Sequence, residues 1–172
     1  MILDIVTYPD PRLKQVSQSV GVITDEIREL AANMLETMYA APGVGLAAPQ
    51  VGKNIRMLVM DESAQEEKKH PRVLVNPVLT FLGEEVVSEQ EGCLSVPMNY
   101  RADVVRKSMV HLNALNIDGS VIDEDLEGFG AIIVQHEYDH LDGILFIDKI
   151  SRLRRSLYDS KVKKWLRRKN AV

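Results

Sequence analysis

Ala131-Ile132-Ile133-Val134 runs almost directly into His136-Glu137-Tyr138-Asp139-His140. A segment that is apolar on every side predicts a helix buried in the core, with the rest of the chain wrapped around it. The spacing predicts this helix over about Glu124 to Leu141, with Leu126, Phe129, Ile133, His136 and His140 on one side and Gly143 as the residue that ends it. His136 and His140 stand at i and i+4, so both imidazoles can reach a single cation. Glu137 beside the first histidine is placed to take a proton from water, which makes metal-dependent hydrolysis the natural chemistry. Two imidazoles and a carboxylate in an apolar core are costly without a partner, which argues against two ordinary core histidines.

The remaining segments supply the wrapping. Thr24 predicts an N-cap, with Asp25 and Glu26 in a first turn where the helix dipole favours acids. Ile27, Leu30, Ala31, Met34, Leu35 and Met38 continue at helical spacing for about four turns, and the helix ends before Pro42-Gly43. Ile55 to Met60, Val73 to Val75, Glu84 to Glu89 and Val104 to Ile117 read as strands, and Asp118-Gly119 as a hairpin turn. Asp61 to Arg72 reads as a charged loop. A third helix starts at about Ser151, with Ile150, Leu153, Leu157, Val162 and Trp165 as its apolar set. Sequential short strands predict an α+β fold: antiparallel β-sheets packed around a central metal-binding helix, with N-terminal and C-terminal helices. The length of 172 residues predicts one domain over 1–172, including a basic C-terminal helix over 151–169.

Composition excludes several classes. The single cysteine, Cys93, allows no intrachain disulfide. Met1 to Asp4 lacks the basic run of a secretory leader. The longest uncharged stretch, Thr37 to Gly52, holds three glycines and two prolines and is too short to span a bilayer. A soluble, cytoplasmic protein with no membrane partner is expected. Its net charge of −4 hides a division: residues 151–172 carry nine of the 21 Lys and Arg against one of the 25 acids, so the tail is +8 and the body −12.

A catalytic metal needs a third protein ligand. The chain after His140 contains no histidine or glutamate, and Phe146 stands where a longer zinc-protease pattern would place a third histidine. The upstream candidates are His70, in the charged loop; His111, on the strand face opposite Val110 and Leu112; and Cys93. A surface histidine and a strand histidine explain the first two. Cys93, preceded by Gly92, is left as the ligand, and a thiolate with two imidazoles suits Zn²⁺ or Fe²⁺ with one position open. Gly43-Val44-Gly45-Leu46-Ala47-Ala48-Pro49-Gln50 resembles a dinucleotide fingerprint, but a helix precedes it and Pro49 would interrupt the helix that should follow. It reads either as a bare loop or as backbone open to a peptide, with the Gln50 amide able to donate to an oxyanion.

Taken together, Gly43 to Gln50, Glu91 to Pro97 and Gln135 to Gly143 resemble the three signature segments of the peptide deformylases, in order and spacing, and the long C-terminal helix is similar to the bacterial type 1 form. The resemblance implies a hydrolase that removes the N-formyl group from the formylmethionine of nascent polypeptides. It implies Cys93, His136 and His140 as ligands of Fe²⁺, with Zn²⁺ or Ni²⁺ able to replace it. It implies Glu137 as general acid and base, Gln50 and the Leu94 N–H as oxyanion donors, and Gly45 as a contact to the substrate backbone. Helix geometry suggests Val44, Phe129, Ile132 and Ile133 as a pocket for the methionine side chain. The basic tail reads either as a solvated helix face or as a docking surface for ribosomal RNA. A zinc endopeptidase and an RNA-binding module with a structural metal are the rival functions.

Overall fold

The hydroxyl of Thr24 accepts a hydrogen bond from the Ile27 N–H at 3.3 Å and starts helix α1, Asp25–Ala40. The computed structural model describes residues 1–171, and the last residue of the expected 1–172 domain lies outside them. Strands β1 (Gly45–Ala47), β2 (Met57–Met60), β3 (Arg72–Glu91), β4 (Ala102–Leu115) and β5 (Val121–Glu127) follow, then helices α2 (Gly128–Leu141) and α3 (Arg152–Asn170). The fold is α+β, and among the described residues the strands form one antiparallel sheet in the order β1-β2-β3-β4-β5, not several sheets.

All four residues of β2 are buried because the sheet is covered on both sides there. Leu58 and Met60 join Leu74, Leu112, Val134 and Leu141 under α2. Met57 and Val59 point the other way, onto Met34 and Met38 of α1. The period-2 alternation of a strand thus assigns each helix its own face of the sheet. A third cluster joins Val6, Val96, Val104 and Phe146 to Tyr158 and Val162 of α3.

Three expectations need correction. The segments Val73–Val75 and Glu84–Glu89 belong to a single strand, β3, whose register against β4 shifts between Val75/Val78, Leu82/Glu85 and Ser88/Glu91. Each shift contains a residue with positive φ: Asn76 (50°), Gly83 (70°) and Gln90 (50°). Such bulges bend a strand without ending it. At Gly83 a Cβ would meet Ser108 Oγ at 2.3 Å, so a side chain there would have to displace Ser108 as well as adopt a left-handed backbone. The second correction is the start of α2. Residues 124–127 are the end of β5, paired from Val121↔Leu115 to Glu127↔Met109, and Gly128 at φ 63° makes the turn into the helix. Leu126 reaches the core from a strand. The third concerns α3. It is capped by Ser151 as expected, but Leu153 and Leu157 are 71% and 57% exposed, and Tyr158 and Val162 are its buried residues.

Candidate metal centre

Helix α2 carries His136 and His140 one turn apart, and the turn after β3 brings Cys93 beside them. The Val96 N–H closes this turn on the Cys93 carbonyl at 3.0 Å. One ligand atom from each of Cys93, His136 and His140 falls within 4.8 Å of the others, and Cys93 Sγ lies 3.3 Å from His140 Nε2. The other two candidates are elsewhere. His70 is exposed in its loop. His111 sits between Asp125 and Asp123, at 2.6 and 2.5 Å.

The donor set fits a cation. A sulfur and two imidazoles suit Zn²⁺ or Fe²⁺, and three protein ligands are the number a catalytic site supplies. Beside them Glu137 is buried, and its Oε2 has no hydrogen-bond partner. A buried carboxylate oxygen is left unpaired at a site that expects another polar group there. Burial pushes the Glu137 carboxyl up to about 7, against the pull of His136 and Arg106. The bare backbone of Gly45 in β1 covers its other side: a Cβ at Gly45 would lie 2.7 Å from Glu137 Oε1.

Gln50 follows β1 in a short 3-10 turn, Ala48–Val51. Its Oε1 accepts from the Ala47 N–H at 2.9 Å, which turns its NH₂ toward Ser95 Oγ (3.0 Å) and Cys93 Sγ (3.4 Å). The amide is therefore fixed, with its donor end at the thiol. A cavity of about 520 Å³ opens on these groups. Gly45, Gln50, Cys93, Leu94, His136 and Glu137 line it, as do Val44, Phe129, Ile132 and Ile133.

Behind these groups lies a buried network of charged side chains that none of the sequence motifs marks. Arg106 of β4 is buried, and its fork donates to both oxygens of Glu91 at 2.6 and 2.8 Å and to Asp139 at 3.0 Å. Glu91 in turn meets His136 Nδ1 at 2.9 Å, which leaves Nε2 for a cation. Burial alone would raise the Glu91 carboxyl, but hydrogen bonds from Arg106 and His136 hold it down to about 2. A signal for Arg106 existed: Ala102, Val104 and Arg106 alternate onto one inward strand face, so an arginine there needed an internal partner.

The chain matches the polypeptide deformylase family over residues 2–156. It is 50% identical over 163 residues to a peptide deformylase of Phenylobacterium zucineum, covering 95% of this chain and 96% of that one. The crystal structure of a peptide deformylase from Legionella pneumophila superimposes with a TM-score of 0.89 at 37% identity, over 99% of this chain and 98% of that one. A Synechococcus elongatus peptide deformylase in complex with actinonin gives 0.87 at 38% identity, over 94% and 88%.

Proposed function

The chain belongs to the peptide deformylase family, and from that premise we propose how its own residues carry out the reaction. The protein is a metal-dependent hydrolase that removes the N-formyl group from the N-terminal formylmethionine of newly made polypeptides. The observation that carries the assignment of roles is the convergence of Cys93, His136 and His140 beside a buried glutamate with an unpaired oxygen.

In this reading Cys93, His136 and His140 hold one divalent ion, Fe²⁺ in the cell, with Zn²⁺ or Ni²⁺ able to take its place. The ion supplies Lewis acidity to water and to the formyl carbonyl. Glu137 takes the proton from the attacking water and returns it to the departing methionine amine, reversing its role as base. Burial, which favours the neutral carboxyl, helps Glu137 hold the proton between the two halves of that transfer. The Gln50 amide and the Leu94 N–H face the oxygen that gains charge, and a single such donor is worth roughly 3–4 kcal/mol. Gly45 lies along the substrate backbone. Val44, Phe129, Ile132 and Ile133 take the methionine side chain. A formyl carbon bears only hydrogen, so a tight approach between Gly45 and Glu137 admits it and rejects bulkier acyl groups.

Residues 1–172 act as one catalytic domain that includes the basic helix, and the site of action is the cytoplasm. No helix among the described residues is long and apolar enough to cross a membrane. Eight of the nine basic side chains of the tail are exposed, and Arg155 alone is partly covered, held by Asp148 at 2.5 Å and Asp159 at 3.3 Å. We assign this surface to ribosomal RNA. Reversing Lys163, Lys164, Arg167 and Arg168 to glutamate is expected to weaken ribosome binding about tenfold or more at low salt. Turnover of free peptide stays unchanged. Equal co-sedimentation of the two proteins with ribosomes would remove the assignment.

The metal is tested on protein purified without oxygen. Elemental analysis is expected to give one divalent ion per chain, and turnover of formyl-Met-Ala-Ser is expected to stop with chelator and return with metal. Cys93→Ala is expected to lose most of the bound ion, and an unchanged metal content would take Cys93 out of the ligand set.

A further inference from the structure

Between Cys93 and β4 the chain passes through Met98 and Asn99, both left-handed, at φ 65° and 50°. Asparagine tolerates this region, but Met98 is strained there, and such a residue persists only where its surroundings over-determine it. One residue of α3 holds the chain on both sides of the turn. Tyr158 is 1% exposed, and its hydroxyl donates to the Pro97 carbonyl at 2.9 Å, just before the left-handed pair. Its ring stacks on Tyr100, just after the pair, with centroids 4.3 Å apart. On its other side Tyr158 packs on Tyr8 at 6.2 Å, whose hydroxyl donates to Asp159 of α3 at 2.6 Å. Beyond Tyr100 the stack continues through Phe146 (6.3 Å) to the ring of His136 (6.2 Å). Asn99, Tyr100 and Arg101 form part of the wall of the cavity that holds Glu137.

We infer that Tyr158 is a positioning residue for substrate: it holds the rim of the cleft at Pro97 and Tyr100, on either side of the Met98–Asn99 turn, and the C-terminal helix thereby supports the peptide-binding site from behind. The inference rests on reading that cavity as the formyl-peptide site. The reacting groups stand on α2, on β1 and the turn after it, and on the Cys93 turn; Cys93 packs against the same core cluster as Tyr158, but the hydrogen bond and the closest ring contact of Tyr158 go to Pro97 and Tyr100 and not to any reacting group. Loss of the clamp therefore loosens the wall that the peptide lies against and leaves the chemical step in place, which raises KM and spares kcat.

The experiment is steady-state kinetics of the metal-loaded full chain on formyl-Met-Ala-Ser. Tyr158→Ala loses the stack and the hydrogen bond and is expected to raise KM roughly tenfold, with kcat within about twofold. Tyr158→Phe keeps the stack, fills the same volume and is expected to raise KM about threefold. Adding Met98→Gly to either variant makes the left-handed turn acceptable without the clamp, and KM is expected to move back toward the wild-type value. Should Tyr158→Ala fail to fold, the Phe variant with and without Met98→Gly decides alone. A KM unchanged in the variants that fold, or a kcat that falls while KM holds, overturns the inference alone. A wild-type protein that leaves formyl-Met-Ala-Ser intact overturns the reading of the cavity and this inference with it.

Discussion

Glu137→Ala is expected to lower kcat by roughly 10²–10⁴-fold, the usual contribution of a positioned acid and base, while the bound metal stays at its wild-type level. The separation of the two readouts follows from the geometry. Glu137 lies on α2 next to His136, but it is not one of the three converging ligand groups. Its Oε2 is buried without a partner, and Gly45 occupies the other side of the carboxyl. Removing the side chain takes away the buried carboxylate that lines the cavity beside the three converging groups. Glu137→Gln keeps the shape and is expected to be equally slow, so a cavity left by alanine is not the cause. A variant that deformylates within about tenfold of the wild type, below the range for such groups, would end the acid–base role. Loss of metal with loss of rate would make Glu137 a ligand.

Arg106→Ala is expected to destabilise the protein by about 3–5 kcal/mol, the cost of leaving buried charge without its partner. The side chain is 2% exposed and joins Glu91, at 8%, to Asp139, at 14%. Deleting it leaves Glu91 with His136 alone and Asp139 with Lys149 alone, at 3.5 Å, and Glu91 is the carboxylate that orients His136. Arg106→Lys keeps a charge but cannot reproduce the two-pronged contact with Glu91, so it is expected to lie between the wild type and alanine. Pairing Arg106→Met with Glu91→Gln is expected to cost less than the sum of the single changes, because the stranded charge is gone. Urea denaturation reads all of these. A loss below about 1 kcal/mol for Arg106→Ala would mean that water reaches the network and screens it.

The helices were legible because their signals are local. Thr24 and Ser151 cap where they should, and the apolar run before His136 leaves α2 few alternatives. The convergence of Cys93 with His136 and His140 was legible by elimination within one chain: no histidine or glutamate follows His140, and a single cysteine exists. What escaped the sequence depends on partners far away along the chain. The continuity of β3 is maintained by its pairing to β4 across three bulges, and Asn76, Pro77 and Gly83 look like breaks when read alone. The start of α2 was placed too early because Glu124 to Glu127 can satisfy a helical spacing, and only the ladder to β4 makes them strand. Leu153 and Leu157 look like a buried seam, yet Tyr158 and Val162 turn inward, because what α3 packs against is the Pro97–Tyr100 segment and Phe146.

The helix that carries Tyr158 inward carries nine of the 21 Lys and Arg, eight of them exposed, while the remainder of the molecule is strongly negative. The protein is therefore an electric dipole built into a rigid body. Near any polyanion it experiences a torque that swings α3 to the front before a single atom touches. At physiological ionic strength this steering acts over about 8 Å, and its reach shortens as salt is added. Heading and grip are thus separable: the long-range field chooses which end arrives first, and the side chains at that end decide only how long it stays.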